Sequence, residues 1–306
     1  MEKRSVRVPN GATIVKVAIA VIVVVLVWLY LKPRFAGDVA VSSVAFTVGR
    51  VAVYWYGLII AAAILAGYEF LVKPRIDKLG IDENNFATYV LVLVFLGLLG
   101  ARLGFILQNV AYYKDNPAEI LALWHGGLSI HGGIVAGFLT TLWYARYLKL
   151  SMWRVLDIIA PAVALGLALG RFGNFFNQEL IGKVATVPWK MYVAPDLRPA
   201  ALSSSEFFHP AFLYESLLDV VILIVLLRIA KNTKKEGLVF FAFVGFYSIV
   251  RFIVEFWRYN DHYVLWGLTL AQIVSIVLIV VSGCAFWMLR REQDEKPKNI
   301  PLPRMN

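Results

Sequence analysis

Five ionisable side chains stand in or beside stretches that are otherwise too apolar for them: Arg102, His131, Arg171, Arg251 and Glu255. An ionisable group inside an apolar span costs at least about 2.5 kcal/mol, so each needs a partner, a water-filled cavity or a chemical task. Spacing sorts them into groups. Tyr247, Arg251, Glu255 and Arg258 follow one another at intervals of three or four, which places them on one face of a helix. Arg171 and Asn174 share a face if their helix continues that far, with Asn177, Gln178 and Glu179 one turn on. A guanidinium offers a planar fork of donors that matches a phosphate, and several at one depth repel each other unless an anion lies among them. The anion that a membrane supplies is a phospholipid headgroup. His131 adds a ring that exchanges a proton near neutrality. The chemistry indicated is a held phosphate and a moved proton.

Blander readings stand beside these. Arg251 and Glu255 can be a structural ion pair that locks a helix into its bundle, which leaves Arg258 unpaired. Gly126, Gly127, Gly132 and Gly133 let backbone approach a ligand or let helices pack closely, as do Gly97 and Gly100 ahead of Arg102. His209-Pro210 and Tyr214-Glu215 mark the entry to an apolar run, where His and Glu either face the same cavity or cap the helix. His125 and His131 are six apart, and no His or Glu completes a ligand set at helical spacing, which argues against zinc. Ser129 lacks the sharp turn of a hydrolase nucleophile. No metal and no cofactor is called for.

The elements that must position these residues follow from composition. The chain has 306 residues, 60% apolar and 16% charged, which describes a polytopic membrane protein. Apolar runs span residues 12–31, 52–72, 86–108, 128–147, 155–172, 210–230, 238–257 and 267–289. Backbone groups in lipid pair within their own segment, so these runs are expected to be helices. The net charge of +10 gathers in short clusters around Lys3, Lys73, Arg146, Lys231 and Arg290, which an eight-span threading places on one side. That makes both termini cytoplasmic and removes the need for a nucleic-acid partner. The first run reads as a retained anchor or as a signal peptide; Lys-Pro-Arg-Phe-Ala-Gly is a poor cleavage site and favours the anchor. A polar connection over about 173–209 falls on the outer face and reads as a lid or arm. The lone Cys284 excludes an internal disulfide framework and reads as a small buried hydrophobe. A transporter or channel for an anionic solute is the rival function, but it needs polar residues at both depths, whereas these gather toward one face.

The collected residues carry a family resemblance. Gly170-Arg171-Phe-Gly173-Asn174-Phe-Phe-Asn177-Gln-Glu179-Leu-Ile-Gly182 resembles the signature of the prolipoprotein diacylglyceryl transferases. Tyr54-Trp55-Tyr56-Gly57, Gly100-Ala-Arg102-Leu-Gly104, Gly126-Gly-Leu-Ser-Ile-His131-Gly-Gly, His209-Pro-Ala-Phe-Leu-Tyr214-Glu215 and Tyr247 to Arg258 resemble the other blocks of that family, in the same order, over about residues 50–290. The resemblance implies an all-α integral membrane protein: a seven-helix transferase core over 46–290, preceded by an extra anchor in 1–45 and followed by a cytoplasmic tail, 291–306. It implies transfer of the diacylglyceryl group of phosphatidylglycerol to the lipobox cysteine of a prolipoprotein in the bacterial cytoplasmic (inner) membrane, giving a thioether and glycerol phosphate. It also implies roles: His131, Arg171 and Arg251 in catalysis, Arg171, Asn174 and Glu179 at the lipid, and Tyr56, Arg102, Tyr247, Glu255 and Arg258 in the polar shell around it. The first 40 or so residues depart from the family by adding an apolar run.

Overall fold

The structure is a computed structural model, and it describes residues 11–49, 51–122, 126–260 and 262–294. Each of the eight apolar runs is helical. α1 spans Gly11–Ala36 and leads to a hairpin, β1 Val44–Val48 paired antiparallel with β2 Val51–Tyr54. α2, Trp55–Gly67, passes through a π-helical turn at Tyr68–Val72 into α3, Lys73–Leu79. Pro74 has no N–H to donate, and the widened turn just before it keeps the helix going. Gly80 ends α3 in the left-handed region at φ 64°, and Asp82 caps α4, Glu83–Gln108, by accepting from Asn85 N at 2.7 Å. α5, Val110–Asp115, and a 3₁₀ turn lead to α6, Ile130–Tyr147. Then come α7 Met152–Asn177, the short antiparallel pair β3 Met191–Tyr192 and β4 Phe207–Phe208, α8 Ala211–Asn232, α9 Leu238–Val254 and α10 Leu270–Asp294. Among the described residues four helices are long and apolar enough to cross a membrane: Trp55–Leu79, Glu83–Gln108, Met152–Asn177 and Leu270–Arg291. The basic start and the residues after 294 lie outside the described residues.

Three expectations are corrected. α7 runs through Asn177, so Arg171 and Asn174 lie on continuous helix, and the connection to α8 begins later than position 173. α9 stops at Val254, so Glu255 and Arg258 sit on the turn beyond it. Cys284 is exposed on α10, which turns that position outward instead of into a core.

α7 is the central post. Its middle packs with α8 and α9 through Ala160, Ala164, Ile222, Leu226 and Val254. At one end Val155 and Ile158 meet Tyr89, Tyr144 and Phe86. There the buried Asp157 accepts from Gly237 N at 2.7 Å and Phe240 N at 2.8 Å, so a carboxylate from one helix satisfies the unpaired amides that begin another. At the opposite end Phe175 joins Phe208, Phe212, Ile181 and Met191 in a core beneath the β3–β4 connection. The polar residues of interest lie at this second end.

Two of the glycine blocks resolve as helix packing. Gly132 of α6 sits against Gly100 and Gly104 of α4, where an added Cβ would come within 3.0 Å of Gly104 Cα and closer still to Gly100 O. Gly132→Val should therefore destabilise the fold by about 1–3 kcal/mol, the usual cost of overpacking. The check is the thermal midpoint in detergent: a fall is expected, and an unchanged midpoint would mean that α4 and α6 do not approach this closely.

Candidate active site

The second end of α7 gathers charge from three directions. Arg171 projects from α7, Glu215 and Asp219 from one face of α8, and Arg251 from the last turn of α9, with Arg258 just beyond. Glu215 is the hub. Its Oε2 lies 2.6 Å from Arg171 Nε, while its Oε1 is 3.4 Å from both Arg251 Nη1 and Arg258 Nη1. The Glu215 side chain is only 4% exposed, and the three arginines are 13–19% exposed. Arg251 is held more tightly on its other side, 2.6 Å from Glu255 Oε2. Glu255 is fixed in turn, its Oε1 accepting from Thr269 Oγ1 at 2.9 Å and Asn260 Nδ2 at 3.0 Å. Tyr247 lies against Arg171.

This arrangement amends the sequence reading in two ways. The structural pair Arg251–Glu255 is present, but Arg258 is not left unpaired, because Glu215 reaches it. The anion among the guanidiniums is a protein carboxylate from α8, a residue that sequence reasoning left between cavity and cap. Asp219, one helical turn further along, was missed altogether. It is 1% exposed, its carboxylate is 4.0 Å from Arg171 Nε, and neither of its oxygens has a hydrogen-bond partner among the described residues. The signal was legible: two acids four apart inside an apolar run.

Beside the hub lies a narrow crevice, with no room for a water molecule, walled by Arg171, Asn174, Leu180, Phe212, Glu215 and Arg258. The signature block shapes its rim. Asn174 donates to Glu179 Oε1 at 2.7 Å, and Asn177 donates to the same oxygen at 3.4 Å. Gln178 ends α7 in the left-handed region at φ 48° and binds the β3 segment, donating to Tyr192 O at 3.2 Å and accepting from Ala194 N at 2.9 Å. Gly173 makes room for the Tyr56 ring, which a Cβ there would penetrate. Gly182 passes between His209 O and Trp257 O, donating to the former at 3.2 Å, and so ties the rim to the turn that carries Arg258. Burial lowers the pKa of His209 below the usual histidine value, and its Nδ1 lies 3.0 Å from Tyr214 Oη.

Two residues expected at the site stand apart from this group. Arg102 is buried, and its fork satisfies carbonyls: Ile120 O at 3.0 Å, Gly126 O at 2.6 Å, Gly127 O at 3.0 Å, Ala122 O at 3.3 Å, and Glu119 O. Gly126 and Gly127, both at φ 79°, turn those carbonyls inward. Arg102 therefore shapes the loop that leads into α6. His131 sits exposed in the first turn of α6 and makes no hydrogen bond or ion pair among the described residues. His125 lies outside the described residues. No group of three or more His, Cys, Asp or Glu is placed to hold a metal among the described residues.

Fold and site together define a multi-pass α-helical membrane protein with a buried arginine–carboxylate centre beneath a structured polar connection. The chain belongs to the prolipoprotein diacylglyceryl transferase family, whose profile matches residues 43–288. α1 precedes the matched span. Among relatives, the phosphatidylglycerol–prolipoprotein diacylglyceryl transferase of Synechococcus elongatus is 38% identical over 238 residues, 76% of this chain and 82% of its own length. The enzymes of that name from Trichormus variabilis and Staphylococcus aureus are 34% and 35% identical, covering 82% and 79% of this chain and 91% and 87% of their own lengths.

The Arg102 geometry yields a test. Arg102→Lys keeps the charge but loses the fork, so residues 118–122 and 126–127 should exchange their amide hydrogens at least tenfold faster, the effect of about 1.4 kcal/mol in local opening, close to the low end for one charged hydrogen bond. Hydrogen–deuterium exchange measures this directly. Unchanged protection there would show that the loop does not depend on Arg102.

Proposed function

We propose that this chain transfers the diacylglyceryl group of phosphatidylglycerol to the lipobox cysteine thiol of a prolipoprotein, the first step of lipoprotein maturation. The observation that supports it is the convergence of Arg171, Arg251 and Arg258 on one carboxylate beside a crevice, in a member of this transferase family. The enzyme works from the bacterial cytoplasmic membrane with both termini in the cytoplasm and the arginine centre toward the outer face. Residues 46–290 form the transferase core, 1–45 the added anchor and 291–306 the tail.

The reaction breaks the bond between the diacylglyceryl carbon and a phosphate oxygen, and it forms a carbon–sulfur bond. The thiol proton goes to a base, and glycerol phosphate leaves with the bonding electron pair. A free thiol ionises near pH ~8.5, so a base close by raises the thiolate fraction. His131 is that base; its exposed ring, engaged with no other group among the described residues, is available to a thiol arriving from the membrane. Arg171 and Arg251 take up the charge that grows on the leaving phosphate.

The distances support one route for the phosphate. The pairs at 2.6 Å, Arg171–Glu215 and Arg251–Glu255, hold the guanidiniums in place, whereas the 3.4 Å contacts of Glu215 with Arg251 and Arg258 are long and weak. As it stands the crevice has no room even for a water molecule, so a headgroup enters by displacing Glu215 from those long contacts. Glu255 keeps Arg251 aimed throughout, Asn174 and Glu179 shape the rim with Tyr56, and Tyr247 supports Arg171. The transporter reading finds no support, since the buried acid at the far end, Asp157, is engaged in capping α9.

The assay is purified protein with phosphatidylglycerol and a lipobox peptide, with the peptide mass read as a function of time. Arg251→Ala should lose at least ~100-fold in turnover, the effect of one lost charge-stabilising donor, while still inserting and folding. His131→Gln should lose ~10²–10⁴-fold. Wild-type turnover by the first variant would remove Arg251 from the mechanism, and wild-type turnover by the second would demote His131 to positioning.

A further inference from the structure

α1 lies outside the family match, and its packing is unusual for a transmembrane anchor. Leu31 and Phe35 are buried among Phe175, Ile181 and Phe212 at the end that carries the arginine centre. Every side chain from Val25 to Tyr30 remains exposed. The helix is thus packed at Leu31 and Phe35 and exposed from Val25 to Tyr30. Between it and the bundle is an apolar wedge of about 460 Å³, with Val27, Tyr30 and Leu31 on one wall and Ile59, Leu169 and Phe176 on the other. In a bilayer such a wedge fills with hydrocarbon, because an apolar space stays dry and unfilled space forfeits dispersion contacts.

The packed end carries a cation. Arg34 is four and seven residues after Tyr30 and Val27, on the wedge face of α1. Its guanidinium stacks 3.6 Å over the Tyr30 ring, and its Nη1 donates to Tyr30 O at 2.8 Å. No carboxylate among the described residues lies within ion-pair distance, so most of its fork is unclaimed. The stack continues inward: Tyr30 lies 6.2 Å from Phe176, and Phe176 is stacked on Trp55 at 4.9 Å. An aromatic shelf topped by an unpaired arginine, above an apolar wedge, matches one ligand: hydrocarbon tails below and a phosphate above.

We propose that the wedge between α1, α2 and α7 is a docking site for an anionic phospholipid, with its tails on the apolar walls and its phosphate on Arg34. The site is distinct from the Arg171 crevice. Phe172 and Phe212, in edge contact at 5.7 Å, stand between the two. It is a place where a charged lipid is held next to the chemistry by an element outside the matched family span.

The test uses the full chain in phosphatidylcholine nanodiscs doped with a lipid whose acyl chain bears a diazirine, as either phosphatidylglycerol or phosphatidylcholine. Labelled peptides are mapped after illumination. In the wild type the phosphatidylglycerol probe should label the segments over 26–31 and 169–176 about fivefold more than the phosphatidylcholine probe, the preference expected for one basic residue facing an anionic lipid. Arg34→Glu should erase that preference, and Arg34→Lys should keep most of it. Arg171→Gln should leave labelling of 26–31 unchanged, which separates this site from the crevice whatever the crevice does. Equal labelling by the two probes in the wild type, a comparison that needs no variant, would overturn the proposal. So would full preference in Arg34→Glu, or loss of 26–31 labelling in Arg171→Gln.

Discussion

One carboxylate shared by three guanidiniums is the constraint on which the polar end of this protein depends. Glu215 lies between Arg171 of α7, Arg251 of α9 and Arg258 of the turn that follows, and it is almost wholly removed from solvent. Each arginine alone would be an uncompensated buried charge, and together they would repel. Removing one partner from such a cluster typically costs about 3–5 kcal/mol, because the others are left unpaired in a low-dielectric setting. Three helices are thereby held in register by an interaction that is weak evidence for stability but strong evidence for a specified geometry.

The same cluster explains why the centre can be both ordered and receptive. Arg171 and Arg251 each have one short ion pair, and these pairs anchor them without using up their donor forks. The remaining contacts to Glu215 are long. In the proposed reaction, an arriving phosphate would find guanidiniums already aimed, so little reorganisation would be needed as negative charge develops, the condition under which electrostatic stabilisation is largest. The helix-end glycines serve this order indirectly. Gly173 admits Tyr56, and Gly182 lets the rim strand pass close to the Arg258 turn.

Much of this was legible in the sequence, and the losses have physical causes. The eight helical runs follow from the requirement that backbone in lipid pair with itself, a strong constraint that leaves few alternatives. Arg171, Arg251 and Glu255 stand out because each interrupts an apolar stretch. Glu215 is ambiguous in the sequence, since a Glu near a helix start is also a good cap and only the tertiary packing of α8 on α7 turns it inward. Asp219 hid in the same run for the same reason. Arg102 looked like a ligand residue, but its five carbonyl contacts come from a loop whose shape depends on two left-handed glycines, which no helical spacing reveals. Cys284 was placed inward because a small apolar residue in an apolar run has no periodic signal to say which side it faces; in a bilayer the outer face is as apolar as the core.

α1 lies outside the matched family span, and Leu31 and Phe35 attach it to the aromatic core at the end that carries the arginine centre. Where a phosphate sits in this centre is decided by a structure with a non-reactive phosphonate analogue of phosphatidylglycerol. The expected result is a phosphonate oxygen within hydrogen-bond reach of Arg171 or Arg251, with Glu215 drawn away from Arg251 and Arg258. A phosphonate bound elsewhere, with the three arginines still closed on Glu215, would contradict it.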